Sequence, residues 1–149
     1  MTMQILELSS SHISDCSALY ADVFSSPPWN EPWSINEAEK RLRFLIESPG
    51  FLGFVSMNDK QLTGLLCATI EPFAGGNACY LRELCITPAS RNHGVAGQLV
   101  ETLHKALSSR GVMRSYLITQ AGTLAERLYL RKGYQIEKND LVMIAHISR

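Results

Sequence analysis

Leu84-Cys85-Ile86-Thr87-Pro88-Ala89-Ser90-Arg91-Asn92-His93-Gly94-Val95-Ala96 is the stretch on which the reading of this chain turns. An apolar run ends at a stop signal, Thr87 to Ser90, and a glycine-containing loop then opens into a helix. That helix places Val95, Leu99, Leu103 and Ala106/Leu107 along one face. A strand that passes through a short loop into a helix leaves backbone N–H groups unpaired at the helix start. Gly94 permits close approach there and Ala96 keeps the wall thin, so the loop suits an anionic group such as a pyrophosphate. The same residues also read as an ordinary loop with a tolerated glycine. The hexapeptide from Arg91 to Ala96 leaves both readings open.

Upstream, the run Ala78 to Ile86 reads as a strand. Leu84 and Ile86 share one face and Glu83 and Cys85 the other, which turns Glu83 toward a site or a polar neighbour. Phe51 to Met57 and Gln61 to Ile70 form a hairpin about Asn58-Asp59-Lys60, and Met3 to Leu8 alternates as a first strand. Ser9-Ser10-Ser11 offers caps for a helix with Ile13, Cys16, Leu19, Tyr20, Val23 and Phe24 on one face. It stops at Ser25-Ser26-Pro27-Pro28. Both tryptophans follow, in Pro27-Pro28-Trp29-Asn30-Glu31-Pro32-Trp33, a stiff segment that suits either a pocket wall or a lid over the core. Ser34 and Glu37 form a capping box for a second helix, with Ala38, Leu42, Leu45 and Ile46 inward. Its charges, Glu39, Lys40, Arg41 and Arg43, read as a solvated face.

Downstream, Gly111 caps the central helix and Ser115 to Thr119 reads as a buried strand. A last helix over Thr123 to Lys132 presents Leu124, Ala125, Leu128 and Tyr129 inward, with Gly133 as its cap. Tyr134 to Glu137 and Leu141 to Ile147 form a closing hairpin around Asn139-Asp140. Helices interleaved with a largely antiparallel sheet indicate an α/β or α+β layered domain.

The chain's 149 residues fit one domain, 1–149, with enough length to bury a core. Fourteen basic and fourteen acidic residues cancel, and no basic stripe interleaved with aromatics argues for nucleic acid. No apolar stretch is long enough to span a bilayer, and the amino terminus lacks the pattern of a secretory leader. Cys16, Cys67, Cys79 and Cys85 show neither C-x-x-C spacing nor a histidine pair. Reduced buried thiols in a cytoplasmic protein without a metal are therefore expected.

The order of elements, together with two motifs, resembles the GNAT-type N-acetyltransferases, which carry an acyl group from acyl-CoA to an amine. The first motif is Leu84 to Pro88 followed by Arg91 to Ala96, similar to the family's strand and R/Q-x-x-G-x-G/A loop. The second is Ala125-Glu126-Arg127-Leu128-Tyr129-Leu130-Arg131-Lys132-Gly133-Tyr134, similar to its late helix, with a tyrosine four residues before a glycine-aromatic pair. The match is good from Tyr80 to Tyr134 and holds in outline elsewhere. The resemblance implies a mixed, mostly antiparallel seven-stranded sheet flanked by four helices, with strands 4 and 5 splayed apart.

It also implies a division of labour. The pantetheine arm of acetyl-CoA, a co-substrate, would pair with backbone near Leu84, Cys85 and Ile86. Its pyrophosphate would take amides from Asn92 through His93, Gly94, Val95 and Ala96 to Gly97, with Arg91 holding the loop or a phosphate. On this account Gly94→Leu blocks the cofactor without an obvious folding cause. The acceptor would lie against Phe24, Trp29, Trp33 and Glu83, whose aromatic and acidic chemistry suits an amine on an apolar, aromatic or sugar body. Tyr129 sits where the family places a general acid, and a phenol, about 1.5 pKa units above a thiol, can protonate a leaving thiolate. A backbone N–H near Cys85 or Ile86 would meet the oxyanion.

Glu83 is the carboxylate of strand 4 and a candidate base or amine anchor; its structural alternative is an ion pair with Arg82 or another neighbour. Tyr116 to Thr119 lacks the strand-5 glutamate of some members, and Gly122 stands where many have an asparagine. These departures keep a rival open: a CoA-binding sensor or interaction module without catalysis. His93 reads as a bystander and His104 as exposed. The family's closing hairpin often supports dimers, so the resemblance admits a homodimer.

Overall fold

The computed structural model describes residues 3–148. Met1 and Thr2, part of the stretch read for a leader, and Arg149 lie outside them. The elements are β1 (Met3–Glu7), a 3-10 turn (Ser10–His12), α1 (Ile13–Phe24), α2 (Ile35–Glu47), β2 (Phe51–Asn58) and β3 (Gln61–Glu71). They continue with β4 (Ala78–Ile86), a second 3-10 turn (Pro88–Ser90), α3 (Val95–Ser109), β5 (Ser115–Tyr116) and α4 (Leu124–Arg131).

The five strands lie in sequence order; β1 to β4 pair antiparallel and β5 joins β4 in parallel. Consecutive side chains of a strand leave opposite faces, so Leu65 and Leu66, both fully buried, enter two different cores. One core holds Leu42, Leu45, Val55 and Leu65 under α1 and α2. The other holds Leu66, Leu99, Val100 and Leu103 under α3. Coverage of both faces explains why β3 reads as a near-continuous apolar run.

Helix placement follows local chemistry. The Ser34 hydroxyl accepts from the Glu37 amide at 3.0 Å, and the Ser34 amide donates back to Glu37 Oε1 at 3.1 Å. Ala38, Leu42 and Leu45 then point inward at four- and three-residue spacing. In α1 the six residues expected on one face, Ile13, Cys16, Leu19, Tyr20, Val23 and Phe24, are all buried.

Between β3 and β4 the register slips: Cys67 faces Glu83 while Ala68 faces Leu81. Arg82 is thus an extra residue in β4, and a bulge of this kind bends its strand. β5 pairs with β4 only at Cys79–Ser115 and Tyr80–Tyr116, so the two chains part just before the bulge. That is the splay expected of strands 4 and 5.

Three expectations are corrected. The described sheet has five strands and not seven. The run Ser115 to Thr119 is a strand only over its first two residues, and Ile118 is exposed. Neither arm of the expected closing hairpin is a strand; Leu141, Val142, Met143, Ile144 and Ile147 face solvent. β5 pairs with β4 only at Ser115 and Tyr116, and no ladder among the described residues involves a residue beyond Tyr116. Leu124, expected inward, is also exposed, because it occupies the first helical position beyond the Thr123 cap. No described helix is long and apolar enough to cross a membrane.

Candidate active site

The parting of β4 and β5 opens a cleft of about 520 Å³. One wall is β4 from Leu81 to Leu84 and the other is Leu117 to Gln120. Tyr20, Phe24, Trp29 and Trp33 close one end, and Tyr129 with Ala125 lines it from α4. From Leu81 onward β4 pairs with β3 along one edge only, so the other edge keeps free backbone groups beside this cleft.

At the end of β4 the chain turns into α3. Asn92 and Gly94 take left-handed conformations, φ 66° and 76°. Gly94 is the cap residue, no side chain caps the helix, and its first backbone bond is from Gln98 N–H to the Gly94 carbonyl at 3.1 Å. The amides of Val95, Ala96 and Gly97 are therefore left for an outside acceptor. Arg91, Asn92 and His93 are exposed beside them. Leu84 lines the cleft, whereas the side chains of Cys85 and Ile86 are buried and offer only backbone. The expectation for Gly94→Leu needs correction. At φ 76° a β-branched or bulky residue strains the backbone by about 1–2 kcal/mol, so such a variant carries a folding cost of its own.

Glu83 lies at the cleft floor, its side chain 11% exposed. Its partner is Arg41, with Nη2 3.1 Å and Nε 3.4 Å from Oε1. The expected alternative partner, Arg82, is not the one, and Arg41 does not belong to a solvated face. A signal was available: Arg41 stands three residues after Ala38 and four before Leu45, on the buried stripe of α2. Burial raises the Glu83 carboxyl above its ordinary range, and the Arg41 charge opposes that shift. The Tyr20 phenol is pushed up by burial and by the adjacent Glu83 charge. The sequence marks Tyr20 only as a core residue of α1, whereas in the structure it joins Arg41 around the carboxylate.

Tyr129 is 8% exposed, and its ring packs edge-on against Tyr134 at 5.6 Å. Its hydroxyl makes no hydrogen bond among the described residues, although its ring lines the cleft. Burial, then the neighbouring Tyr134 and Glu83, raise the phenol's pKa above its ordinary value, which makes it a weaker acid. The aromatic end is a stack of perpendicular contacts: Tyr20 to Trp33 at 4.9 Å and Phe24 to Trp29 at 5.3 Å. Trp33 Nε1 donates to Glu31 Oε1 at 2.9 Å. Both tryptophans rest on the α1/α2 core and also face the cleft, so the two readings of this segment hold together. His104, expected exposed, is half-buried, and its Nε2 lies 3.1 Å from the Tyr134 hydroxyl. Among the described residues no group of acids, histidines and cysteines could hold a metal.

The "Acetyltransferase (GNAT) family" model matches residues 15–134. The chain belongs to the GNAT acetyltransferase family. Solved structures repeat this GNAT fold. A transcriptional regulator from Bacillus halodurans C-125 is 18% identical, with a TM-score of 0.81, over 97% of this chain and 100% of that one. The aminoglycoside N-acetyltransferase AAC(6')-Iy in complex with CoA is 16% identical, TM-score 0.77, over 98% and 95%. The aminoglycoside acetyltransferase meta-AAC0020 from an uncultured soil metagenomic sample, in complex with sisomicin, is 13% identical, TM-score 0.74, over 99% and 97%. No curated protein matches the sequence significantly.

Proposed function

We propose that this GNAT domain is an N-acetyltransferase that moves an acetyl group from acetyl-CoA to a primary amine by direct attack. The observation that carries the reading is the meeting of Glu83 and Tyr129 in one cleft, beside the free edge of β4. Acetyl-CoA supplies an activated acyl thioester. The open β4 edge near Leu84 to Ile86 and the uncapped amides of α3, with Arg91 nearby, fit its arm and its pyrophosphate in chemistry.

The remaining work falls to the chain's own groups. An acceptor amine entering past Trp29 and Trp33 meets Glu83, whose raised pKa suits it to take a proton directly or through water. Arg41 holds that carboxylate in place. A β4 amide near Cys85 or Ile86 is available to stabilise an oxyanion. Tyr129 is the proton donor for the leaving thiolate; its ring lines the cleft, and burial, which makes the phenol a weaker acid, is offset once the charged thiolate forms beside it. Four buried thiols without disulfide partners support a reducing compartment, the cytoplasm. The exposed apolar run from Leu141 to Ile147 supports a homodimer that covers it, to be read from the mass in solution.

The test is thiol release from acetyl-CoA across a panel of amines. Turnover of at least one amine is expected. CoA binding without turnover of any amine would instead favour the non-catalytic sensor, and no CoA binding would refute both.

A further inference from the structure

The bulge that opens the cleft also builds a cationic surface at its rim. Tyr80 and Tyr116, partners across β4 and β5, stack at 4.7 Å with an interplanar angle of 23°. The bulged Arg82 lays its guanidinium over Tyr80, Cζ 4.5 Å from the ring centre. Arg114, just ahead of β5, sits 5.7 Å from the Phe73 ring and 5.8 Å from that of Tyr116. A guanidinium stacked on an aromatic face keeps its in-plane N–H groups free for a planar or tetrahedral anion.

Two neighbouring acids are held away from the stack: Glu31 accepts from the Trp33 indole at 2.9 Å and Glu83 from Arg41 at 3.1 Å. Glu71 accepts from the Tyr116 hydroxyl at 2.8 Å, so one acid faces two guanidiniums at the stack. Among the described residues neither Arg82 nor Arg114 has a carboxylate within 4.0 Å. Arg82 lines the same cleft as its sequence neighbour Glu83, and the Cα atoms of consecutive residues lie about 3.8 Å apart. An amine held at Glu83 thus shares its cleft with a guanidinium that has no carboxylate within 4.0 Å, with a second one further out along the aromatic stack.

We infer that Arg82 and Arg114, presented on Tyr80, Tyr116 and Phe73, recognise an anionic group, a carboxylate or phosphate, carried by the amine acceptor. The inference rests on the proposed acetyl transfer and adds the acceptor's class: an amine with a nearby negative charge, not a polycation. An acidic peptide and a small aminoalkyl phosphate share this chemistry.

The test uses the whole chain with acetyl-CoA. Three hexapeptides share an amino-terminal dipeptide followed by residues that include three Glu, three Gln or three Lys; 3-aminopropyl phosphate is paired with propylamine, and sisomicin serves as a polycation. The acidic probe of at least one pair is expected to exceed its neutral partner at least 10-fold in kcat/KM, chiefly through KM, with the preference shrinking at high salt. The pair that shows it separates a peptide from a small-molecule source. Arg82→Gln and Arg114→Gln together should bring the ratio to within twofold, and Arg82→Glu with Arg114→Glu should invert the preference so that the neutral probe exceeds its acidic partner. Thermal shift with CoA present gives a second readout, an acidic probe raising Tm where its neutral partner does not. CoA binding and amine turnover with equal values for acidic and neutral probes, or with the Lys peptide or sisomicin preferred, would overturn the inference and leave the transferase reading standing. CoA binding with no thermal shift from any acidic probe would also overturn it. Failure to bind CoA would remove both.

Discussion

Replacing Arg41 by Gln tests the architecture of the cleft floor in one step. The pair spans 3.1 Å, with Arg41 29% and Glu83 11% exposed. At an effective dielectric of about 20 two charges at that distance attract by about 5 kcal/mol, most of it offset by the cost of taking them out of water. Removing one partner leaves the other charge buried, which costs about 3–5 kcal/mol; the partial exposure of Arg41 brings the expectation to about 3 kcal/mol. For a domain of this size that lowers Tm by about 9 °C.

The loss depends on pH in a defined direction. Glu83 already has a folded pKa above its unfolded value, because burial outweighs the other influences. Such a carboxyl binds a proton more readily in the folded state, so its contribution to stability falls as pH rises from the unfolded to the folded value and is level above it. Without Arg41 the folded value climbs further and the fall extends toward neutral pH. Thermal unfolding of Arg41→Gln and wild type should therefore differ little at pH 4 and by about 9 °C at pH 8. Adding Glu83→Gln to Arg41→Gln should recover part of the loss. An equal Tm difference at both pH values would refute the reasoning, since it would mean that Arg41 contributes packing and not charge.

Tyr129→Phe should fold normally, because the ring keeps its packing against Tyr134, and should lower kcat by about 10²–10⁴-fold with CoA affinity unchanged. Steady-state kinetics beside a CoA titration checks this. Gly94→Ala meets no atom within 4 Å, so its cost is backbone strain of about 1–2 kcal/mol, or about 3–6 °C in Tm. Gly94→Asn should cost less, because asparagine tolerates the left-handed region. Ser34→Ala removes the α2 cap and should lower stability by about 1 kcal/mol, measured by denaturant titration.

The parts legible in the sequence were those set by short-range periodicity and turn chemistry. β4 was read over its observed span, and the Ser34–Glu37 box and the buried stripe of α1 were read residue by residue. The loop before α3 has the uncapped helix start that the sequence suggests, and the structure adds a left-handed Gly94. Long-range features were less legible. Arg41 reads as solvated because a charged residue on an amphipathic helix ordinarily is, while its actual partner lies forty-two positions away in β4. The Arg82 bulge leaves no mark in β4's own alternation, since a bulge belongs to the pairing of two strands. The closing hairpin has strand-forming residues but joins no ladder among the described residues.

By itself the sequence determined the four helices, the first four strands and the residues at which they stop. Those properties depend on contacts within a few residues. Only the tertiary structure decided which strands part, that Glu83 of β4 meets Arg41 of α2, and that Arg82 is turned out onto Tyr80 beside the cleft. Such placements depend on register and burial, which arise when distant segments meet and which no local pattern specifies.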